Sequence, residues 1–443
     1  MKVAEVKQLR EAFIEKLDYD ELMNCTRCGF CLPSCPTYFE TGQNEVHSPR
    51  GRIALMKSVV DGIMEPSDEL KRSIDVCLGC RACEPVCPSG VKFGKLLEQS
   101  RDAIYQTIKQ PLHVRIVRNI TFSKLFPHKD RMRHVTNFIG IYQRSGLQKI
   151  VRKTKATSLL PKQLNEMEKV LPNIPTNKKL KNRPHVLPNQ TKETYRVAFF
   201  SGCLMDTMFM KTNDATLTLL NKVGCEIVVP ETQGCCGALH GHSGELNQAK
   251  EMAKRNIIAF EEENIDFIIT NAGGCGAFLH DYGELFNNDP DWHDRAKRFA
   301  NKIKDVSQVL VELVLSQFEL SLPKQRVTYQ DSCHLKNVQD TYKAPRALIK
   351  AIEGIEYVEM NQASSCCGSA GIYNILEPEM SQKILQTKMD HMKDTKATTI
   401  VTANPGCLLQ MKLGVEQEGL SQTVRVVHIA DLLHEALEHK NRS

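Results

Sequence analysis

Short runs of β-branched and aromatic residues alternate with longer stretches of helical periodicity in the second half of the chain. Apolar residues recur at helical spacing within residues 249–263 and 380–393, which lie between these runs. Such alternation predicts parallel sheets covered by helices. The predicted strands are Arg-Val-Ala-Phe-Phe before Cys203, Phe-Ile-Ile-Thr before Cys275, Arg-Val-Thr-Tyr before Cys333 and Thr-Ile-Val-Thr before Cys407.

The chain of 443 residues divides into an N-terminal region, a basic middle segment and two C-terminal regions. Residues 1–108 contain eight cysteines in two tight runs, separated by a stretch whose apolar residues have helical spacing. Residues 109–193 contain no cysteine and are predicted to be a basic helical segment that continues into a Pro- and Lys-rich linker. Residues 194–322 and 323–443 hold the other nine cysteines and are predicted to be two α/β domains.

The two C-terminal regions are repeats of one another, because matching cysteine motifs lie at nearly constant offsets. The offset is 130 residues for the first cysteine of each half, 131 for the Cys-Cys-Gly pair and 132 for the last cysteine. Cys225 has no counterpart, and we expect it to be a small buried hydrophobic residue. Since open α/β sheets place their sites beyond the carboxyl ends of the strands, the cysteines of each half are expected to converge. The two sets are Cys203, Cys235, Cys236 and Cys275, and Cys333, Cys366, Cys367 and Cys407.

Composition and cysteine number indicate the class of protein, its location and the role of its cysteines. With 41% hydrophobic and 25% charged residues, the chain is typical of globular proteins. The N-terminal residues lack the apolar run of a signal peptide, and no stretch approaches the roughly 20 apolar residues of a membrane span, so a cytoplasmic location is expected. Seventeen cysteines, an odd number, in that reducing compartment indicate metal ligation or redox chemistry rather than a disulfide framework.

The two N-terminal cysteine runs share the spacing Cys-x₂-Cys-x₂-Cys-x₃-Cys-Pro. This spacing is typical of two-cluster ferredoxins, in which the fourth cysteine of each run ligates the other cluster. It predicts two 4Fe–4S clusters and one-electron transfer through them. The predicted ligands are Cys25, Cys28, Cys31 and Cys87 for cluster 1, and Cys77, Cys80, Cys83 and Cys35 for cluster 2.

A pair of zinc ribbons is the alternative interpretation of these runs, because Cys-x₂-Cys is also zinc spacing. Zinc does not account for two runs of identical spacing that both end in Cys-Pro. The pattern therefore favours iron–sulfur clusters.

The order of the motifs resembles that of heterodisulfide reductase-like iron–sulfur subunits, in which two Cys-Cys-Gly domains follow a helical two-cluster ferredoxin domain. Within that group the chain is most similar to iron–sulfur subunits of glycolate oxidase (glycolate dehydrogenase), over essentially its whole length. The motifs that carry the resemblance are Asn24-Cys-Thr-Arg-Cys-Gly-Phe-Cys, His47-Ser-Pro-Arg-Gly-Arg, Gly234-Cys-Cys-Gly-Ala-Leu-His240 and Ser332-Cys-His334-Leu.

The resemblance implies a multidomain electron-transfer subunit that works with a partner. A separate FAD-containing dehydrogenase subunit would oxidise glycolate to glyoxylate, and this chain would pass the electrons toward a quinone or another acceptor. No Gly-x-Gly-x-x-Gly fingerprint occurs in the sequence, in keeping with a flavin on the partner. The alternatives are the iron–sulfur subunit of a lactate or anaerobic glycerol 3-phosphate dehydrogenase, and a thiol–disulfide catalyst that uses the Cys-Cys-Gly cysteines directly.

The repeats depart from heterodisulfide reductase proper, whose Cys-Cys-Gly domains end in Cys-x₂-Cys. The first of those two positions is Ala272 in one half and Asn404 in the other. Further iron–sulfur clusters in the repeats, and metal-free domains whose cysteines line an interface, both remain open. His240 and His334 lie near these cysteines and are candidates to hydrogen-bond around a metal site, although packing is the more usual role of such histidines.

The net charge of +6 is unevenly distributed. Residues 109–192 contain nineteen Lys or Arg against three acids, a balance of +16, so the remaining chain carries −10. This basic segment is expected to dock the flavoprotein, to lie peripherally against anionic lipid, or to be a solvated linker. It has no interleaved aromatic residues of the kind that bind nucleic acid, so no nucleic-acid partner is expected.

Metal analysis of anaerobically purified protein tests the cluster prediction. We expect at least about eight irons and eight acid-labile sulfides per chain, since two 4Fe–4S clusters contain that number. A value near eight would confine clusters to the N-terminal runs, and a larger one would place metal in the repeats as well. Colourless protein that contains zinc and no acid-labile sulfide would contradict the prediction.

Overall fold

The fold was analysed in a computed structural model, which describes residues 1–154, 156, 162–176, 185–188, 195–261, 263–313 and 315–440. Most of the predicted Pro- and Lys-rich linker, at 177–184 and 189–194, lies outside the described residues. The chain forms two compact units, each made of three separate stretches of sequence. The predicted domain boundaries stay predictions. The first unit comprises Met1–Ser123, Gly237–Glu251 and Ser365–Ile384, and the second comprises Lys124–Cys236, Met252–Ser364 and Leu385–Ser443.

The regular secondary structure described before Val186 is helical, as the sequence pattern predicts. In the stretch between the cysteine runs, Pro49 occupies the first helical position and Ser48 Oγ accepts a hydrogen bond from Gly51 N at 3.0 Å, two features that start helices. The α-helices are α1 Val3–Lys16, α2 Tyr19–Met23, α3 Pro36–Glu40, α4 Pro49–Val60, α5 Asp68–Val76, α6 Phe93–Thr107, α7 Leu112–Arg118, α8 Lys129–Arg144, α9 Leu147–Lys153 and α10 Lys162–Lys169, with a 3₁₀ turn at Glu45–His47 and a π-helix at Asn119–Leu125.

The core of the first unit lies between α1, α4, α5 and α6. Helix α4 contributes Ile53, Met56 and Val59, the apolar positions whose helical spacing is visible in the sequence. Phe13 of α1 and Leu96 of α6 are also fully buried in this core. This core holds α2, which precedes the first cysteine run, and α5 and α6, which flank the second run.

The first repeat forms a sheet in the second unit, with strand order β1-β3-β2-β4-β5 in the described part of the chain. Strand β1 is antiparallel to β3, and the other neighbouring strands are parallel. The elements are β1 Val186–Leu187, β2 Tyr195–Phe199, α11 Leu204–Thr207, α12 Met210–Lys222, β3 Cys225–Val228, α13 Ala238–His242, α14 Leu246–Glu261, β4 Phe267–Thr270, α15 Gly273–His280, α16 Tyr282–Leu285, α17 His293–Asn301, β5 Ile303–Asp305 and α18 Val306–Glu312.

The second repeat forms an all-parallel sheet of order β7-β6-β8-β9 among the described residues. Apart from β1, the two sheets have the same strand order: the second strand of the repeat lies at one edge and is followed by the first, third and fourth strands. This confirms that the repeats share one topology. The elements are β6 Ser321–Gln330, α19 Cys333–Asn337, α20 Lys343–Lys350, β7 Glu353–Tyr357, α21 Tyr373–Leu376, α22 Pro378–Thr395, β8 Thr399–Thr402, α23 Pro405–Gln417, β9 Arg425–His428 and α24 Ile429–Lys440.

One hydrophobic core joins the two sheets within the second unit. Val197 of β2, Val327 of β6 and Leu433 of α24 belong to the same buried cluster. Cys225 of β3 is fully buried in this cluster, as its expected packing role requires. Burial raises the pKa of the Cys225 thiol to about 12, so that it stays a neutral thiol.

Candidate metal centre and cysteine sites

The two N-terminal cysteine runs adopt the same loop conformation. Arg27 and Gly79, at equivalent positions, have φ angles of 58° and 62°, and two residues later Gly29 and Arg81 have φ angles of 89° and 58°. Left-handed residues placed between ordinary ones curl the backbone so that its N–H groups converge on one point, which makes a concavity for an anionic group. An arginine in this conformation costs about 1–2 kcal/mol, a strain typical of functional loops.

One cavity collects cysteines from both runs. It has about 410 Å³ of space between protein atoms and is partly open to solvent. Arg50 at the start of α4 and Phe93 at the start of α6 also line it. Its cysteines are Cys25, Cys28 and Cys31 of the first run, and Cys83 and Cys87 of the second.

Backbone N–H groups point at the sulfurs of the first run. The N–H of Phe30 lowers the pKa of the Cys28 thiol by hydrogen bonding, so the thiolate is favoured there. Burial raises the pKa of Cys31, while a hydrogen bond from the Arg50 backbone opposes that rise. Since iron is bound by thiolates, donors aimed at sulfur suit a metal-ligating role.

The sulfurs of the second run lie near Cys35 of the first. Burial raises the pKa of the Cys83 thiol well above its usual value, and negative charge on Cys80, Glu84, Cys77 and Cys35 raises it further. The three cysteines in that group are the other members of the set predicted for cluster 2. Cys35 is thus close enough to interact electrostatically with Cys83 of the second run, as it also does with Cys31 of its own run.

Cys35 and Cys77 are both buried, and the sulfur of each lies near a polar group. Thr37 Oγ1 lies 3.3 Å from Cys35 Sγ and donates to the His47 carbonyl oxygen at 2.9 Å, and Gly79 N donates to Cys77 Sγ at 3.4 Å. Arg101 of α6 donates from Nη2 to the Cys77 carbonyl oxygen at 2.5 Å, which fixes the point where α5 ends and the second run begins.

In the first repeat, Cys203 follows β2 and Cys275 lies three residues into α15, just after β4. Strands β2 and β4 are neighbours, and the chain order reverses between them, so the two cysteines flank the position at which open α/β sheets bind ligands. Cys235 and Cys236 reach the same place from the loop after β3. Within the second unit, the structure thus brings together all four predicted cysteines of this repeat.

The four thiols of the first repeat lie within hydrogen-bonding reach of one another. A hydrogen bond with Cys235 raises the pKa of Cys203 well above its usual value, and burial adds to the rise. At Cys236 a hydrogen bond with Cys235 lowers the pKa, but Cys275 and burial raise it by more. These interactions link the sulfurs in the order Cys203, Cys235, Cys236 and Cys275.

Two residues that the sequence analysis missed hold the Cys235-Cys236 turn in place. Asn256 of α14 donates from Nδ2 to the Cys235 carbonyl oxygen at 2.9 Å, and Tyr282 Oη donates to the Cys236 carbonyl oxygen at 2.7 Å. Asn256 Nδ2 also donates to Tyr282 Oη at 3.1 Å, and both side chains are fully buried. No local motif marks them; a buried Asn at the centre of an amphipathic helix is the only sequence signal.

The cysteines of the second repeat divide between the two units. Cys333 begins α19 and Cys407 lies three residues into α23, both in the second unit, whereas Cys366 and Cys367 belong to the first. Cys366 Sγ accepts a hydrogen bond from Gly368 N at 3.5 Å. Within the first unit, Tyr373 Oη donates to the Val76 carbonyl oxygen at 2.8 Å, and burial, Glu377 and the thiols Cys77 and Cys366 all raise its pKa.

The positions at which these repeats lack a further cysteine have structural roles. Ala272 and Asn404 are the residues that precede α15 and α23. Asn404 Oδ1 accepts a hydrogen bond from Gly274 N at 3.0 Å, and its Nδ2 lies 3.7 Å from Cys407 Sγ. Asn404 therefore connects the two repeats and approaches a cysteine sulfur as a hydrogen-bond donor.

The two candidate histidines have different surroundings. His240 is fully buried, its Nε2 lies 2.8 Å from the Phe122 carbonyl oxygen, and its ring packs edge-on against the Phe122 ring. Burial lowers its pKa, so the neutral ring is favoured. His334 follows Cys333 in α19 and is half-buried. His240 thus anchors the π-helix to α13, which is a packing role.

Among the residues that the structure describes, no helix combines the length and the apolar character needed to cross a membrane.

A helical region with two equivalent cysteine loops, followed by two α/β repeats with cysteines beyond their strand ends, defines an iron–sulfur protein with a dicluster domain and two cysteine-rich domains. Family models agree with this class. The "4Fe-4S dicluster domain" matches residues 21–91, and the "Cysteine-rich domain" matches residues 197–280 and 327–412. A model described as "Glycolate oxidase iron-sulfur subunit, linker region" matches residues 113–171.

The chain belongs to the family of glycolate oxidase iron–sulfur subunits, which confirms the resemblance and the predicted fold class. It is 60% identical over 437 residues to the "Probable glycolate oxidase iron-sulfur subunit" of Bacillus subtilis (strain 168), with 98% of each chain covered. It is 31% identical over 395 residues to the "Glycolate oxidase iron-sulfur subunit" of Escherichia coli (strain K12), with 88% of this chain and 90% of the relative covered. "Lactate utilization protein A" of Oceanobacillus iheyensis is 36% identical over 240 residues, which are 54% of this chain and 96% of the relative.

Replacing Tyr282 with Phe tests the support of the Cys-Cys-Gly turn. The change leaves the buried Cys236 carbonyl without its donor, so we expect the free energy of unfolding to fall by about 1–3 kcal/mol. Urea unfolding followed by circular dichroism measures it. Tyr195→Phe is the matched control, because the Tyr195 hydroxyl bonds Glu312 at the surface of the same unit. Equal effects of the two substitutions would contradict the proposed support.

Proposed function

We propose that this chain is the electron-transfer subunit of a glycolate oxidase complex and that its N-terminal runs hold two 4Fe–4S clusters. Cluster 1 is ligated by Cys25, Cys28, Cys31 and Cys87, and cluster 2 by Cys77, Cys80, Cys83 and Cys35. The observation that supports the cluster 1 assignment is the cavity whose wall contains its four cysteines, together with Cys83 of the second run. A 4Fe–4S cluster supplies one-electron transfer.

The residues around both sets fit such clusters. Each set offers four sulfurs, the ligand number of a 4Fe–4S centre. The left-handed residues of both loops direct backbone N–H groups inward, toward where the negative charge of a thiolate-ligated cluster would lie. Arg50 Nη1 donates to the Arg27 carbonyl oxygen at 3.0 Å and holds the first loop against α4. The loops are therefore preformed for ligation.

The substrate assignment follows from the relatives. Relatives named as glycolate oxidase iron–sulfur subunits match this chain over most of its length, at 60% and 31% identity. In our proposal an FAD-containing partner subunit oxidises glycolate to glyoxylate, and the two electrons leave the flavin one at a time through this chain. A quinone receives them, and the complex works in the cytoplasm at the inner face of the membrane.

The cysteines of the repeats form an additional redox site in this proposal. In the first repeat, four linked sulfurs lie at the strand ends, with their backbone held by Asn256 and Tyr282. Such a site suits a further cluster or a pair of redox-active thiols, and the iron content distinguishes the two.

A lactate-oxidising complex is the second candidate, favoured by the relatives named "Lactate utilization protein A". These relatives match only about half of this chain, whereas the glycolate oxidase subunits match nearly all of it. The longer match includes the middle segment, for which the glycolate oxidase family has its own model. We therefore prefer glycolate.

Substrate-driven cluster reduction tests the proposed function. The complex purified with its flavoprotein is mixed anaerobically with glycolate, lactate or glycerol 3-phosphate, and reduced clusters are followed by electron paramagnetic resonance. We expect glycolate to reduce them fastest, and Cys80→Ala to abolish quinone reduction while the flavin is still reduced. Cys225→Ala, which removes a core thiol, is the matched control and should retain transfer.

Reduction by lactate but not by glycolate would replace the first candidate with the second. Disulfide reductase activity of the isolated chain, lost in Cys235→Ser, would instead favour the thiol–disulfide catalyst.

A basic, partly apolar surface on α8 and α9 suits an anionic membrane. The stretch 129–153 contains seven Lys or Arg and one acid. Val135, Phe138 and Ile141 lie three residues apart on one exposed face of α8, and Phe138 is 70% exposed. Apolar residues that insert between lipids, bordered by basic residues that attract anionic headgroups, are typical of helices that lie on membranes. We infer that this face binds anionic lipid near the quinone.

Vesicle binding tests this surface. The complex should bind phosphatidylglycerol vesicles more tightly than phosphatidylcholine vesicles, and salt should weaken the binding. Phe138→Ser and Ile141→Ser should each lower the partition coefficient, by about tenfold for Phe138. Ile258→Ser is the matched control, because Ile258 and Ile141 are both 48% exposed. If Phe138→Ser releases the flavoprotein subunit but leaves vesicle binding unchanged, the surface is a subunit interface and the lipid proposal is wrong.

A further inference from the structure

Arg52 of α4 is the largest fully buried side chain among the described residues. Its Nε donates to the Ser73 carbonyl oxygen at 2.7 Å, and its Nη2 donates to Thr37 Oγ1 at 3.0 Å. Nη1 is buried without a hydrogen-bond partner, and no carboxylate of the described part of the chain pairs with Arg52. An arginine keeps its positive charge inside proteins, so a compensating negative charge is expected beside it.

The hydrogen-bond partners of Arg52 connect it to cysteines of cluster 2. Thr37 Oγ1 accepts from Arg52, donates to the His47 carbonyl oxygen at 2.9 Å and lies 3.3 Å from Cys35 Sγ, so it holds the guanidinium of Arg52 close to this sulfur. Ser73, the other partner, lies one helical turn before Cys77 in sequence, at the end of α5. The charge of Arg52 lowers the pKa of the Tyr373 hydroxyl, and the thiol of Cys77 raises it, so both groups lie near this hydroxyl. The buried charge therefore lies among the groups that surround Cys35 and Cys77.

The arginine beside cluster 1 differs in its charge balance. Arg50, which lines the cavity of Cys25, Cys28 and Cys31, is paired with Glu45 through Nη2 at 2.5 Å and Nε at 3.0 Å. Its charge is balanced by a carboxylate of the protein itself. Two arginines of one helix thus face the two predicted clusters, one neutralised and one not.

We propose that Arg52, held in place by Thr37, is the counter-charge of cluster 2 and raises its reduction potential above that of cluster 1. The inference rests on the proposed ligand assignment. A cluster ligated by four thiolates is anionic and gains one more negative charge on reduction, so a fixed positive charge beside it stabilises the reduced form more than the oxidised one. Electron transfer from cluster 1 to cluster 2 would then be favoured, with no bond made or broken.

Redox titration of the anaerobically purified full chain, followed by electron paramagnetic resonance, tests the proposal without any substrate. Arg52→Met should lower the equilibrium constant for reduction of cluster 2 at least tenfold, which is a fall of about 59 mV for one electron. Thr37→Val removes the acceptor of Arg52 Nη2 at nearly constant shape, loosens the guanidinium beside the cluster and should lower the constant about threefold. Thr37→Ser restores the hydroxyl and should restore the potential.

The controls separate the effect of Arg52 from a general change of charge. Arg10→Met removes a charge that is paired with Glu65 at the surface of the same unit, and it should leave both potentials unchanged. The signal that shifts should be the one whose line shape Cys80→Ser alters, which identifies it as cluster 2.

Three results would overturn the proposal: unshifted potentials in both Arg52→Met and Thr37→Val, equal shifts of both clusters, or a shift confined to cluster 1. If Arg52→Met does not fold, an unshifted potential in Thr37→Val overturns it alone. Missing cluster signals in the wild-type chain would overturn the ligand assignment itself. A complex that oxidises lactate in place of glycolate changes none of these potentials, so the two failures remain distinguishable.

Discussion

Cys87 lies in the wall of the same cavity as Cys25, Cys28 and Cys31, and much of the first unit depends on this juxtaposition. In the proposed assignment each cluster takes sulfurs from both runs, so both loops must be held at a fixed separation. Helix α4 serves this purpose, because Ile53 and Met56 anchor it in the core while its first turn lines the cavity. A shift of this helix would disturb both cysteine sets at once.

Concentrating sulfur ligands in a protein interior raises an electrostatic problem, since thiolates are poorly solvated there. In the first unit, two kinds of positively polarised group lie near the sulfurs, namely backbone N–H groups and arginine side chains. Curled loops direct backbone N–H groups at the sulfurs, and arginines reach in from the helices, as Arg101 does at the Cys77 carbonyl. The electrostatic surroundings of the two cysteine sets are unequal, which gives electron transfer through the unit a preferred direction in our proposal.

The two repeats share a topology but support their cysteines differently. In the first, Asn256 and Tyr282 hold the carbonyls of the Cys-Cys pair. At the offset of 132 residues these positions are Lys388 and Gly414, and Lys388 Nζ donates to the Gln362 carbonyl oxygen at 2.6 Å. The duplicated cysteine motif has thus been kept while its surroundings changed. Equivalent chemistry at the two sites does not follow from equivalent cysteines.

Features that depend on local spacing could be predicted from the sequence. The cysteine runs, the alternation of strands and helices, the internal repeat and the packing role of Cys225 are all visible because short-range periodicity controls local structure. The sequence also identified the cysteines as the chemically active residues, because their spacing is typical of only a few kinds of metal site. Which distant groups meet became apparent only in the folded chain: Asn256 and Tyr282 hold a Cys-Cys turn, His240 packs against Phe122, and among the described residues no carboxylate pairs with Arg52. Burial and charge compensation depend on residues far apart in the chain, and no local pattern contains that information.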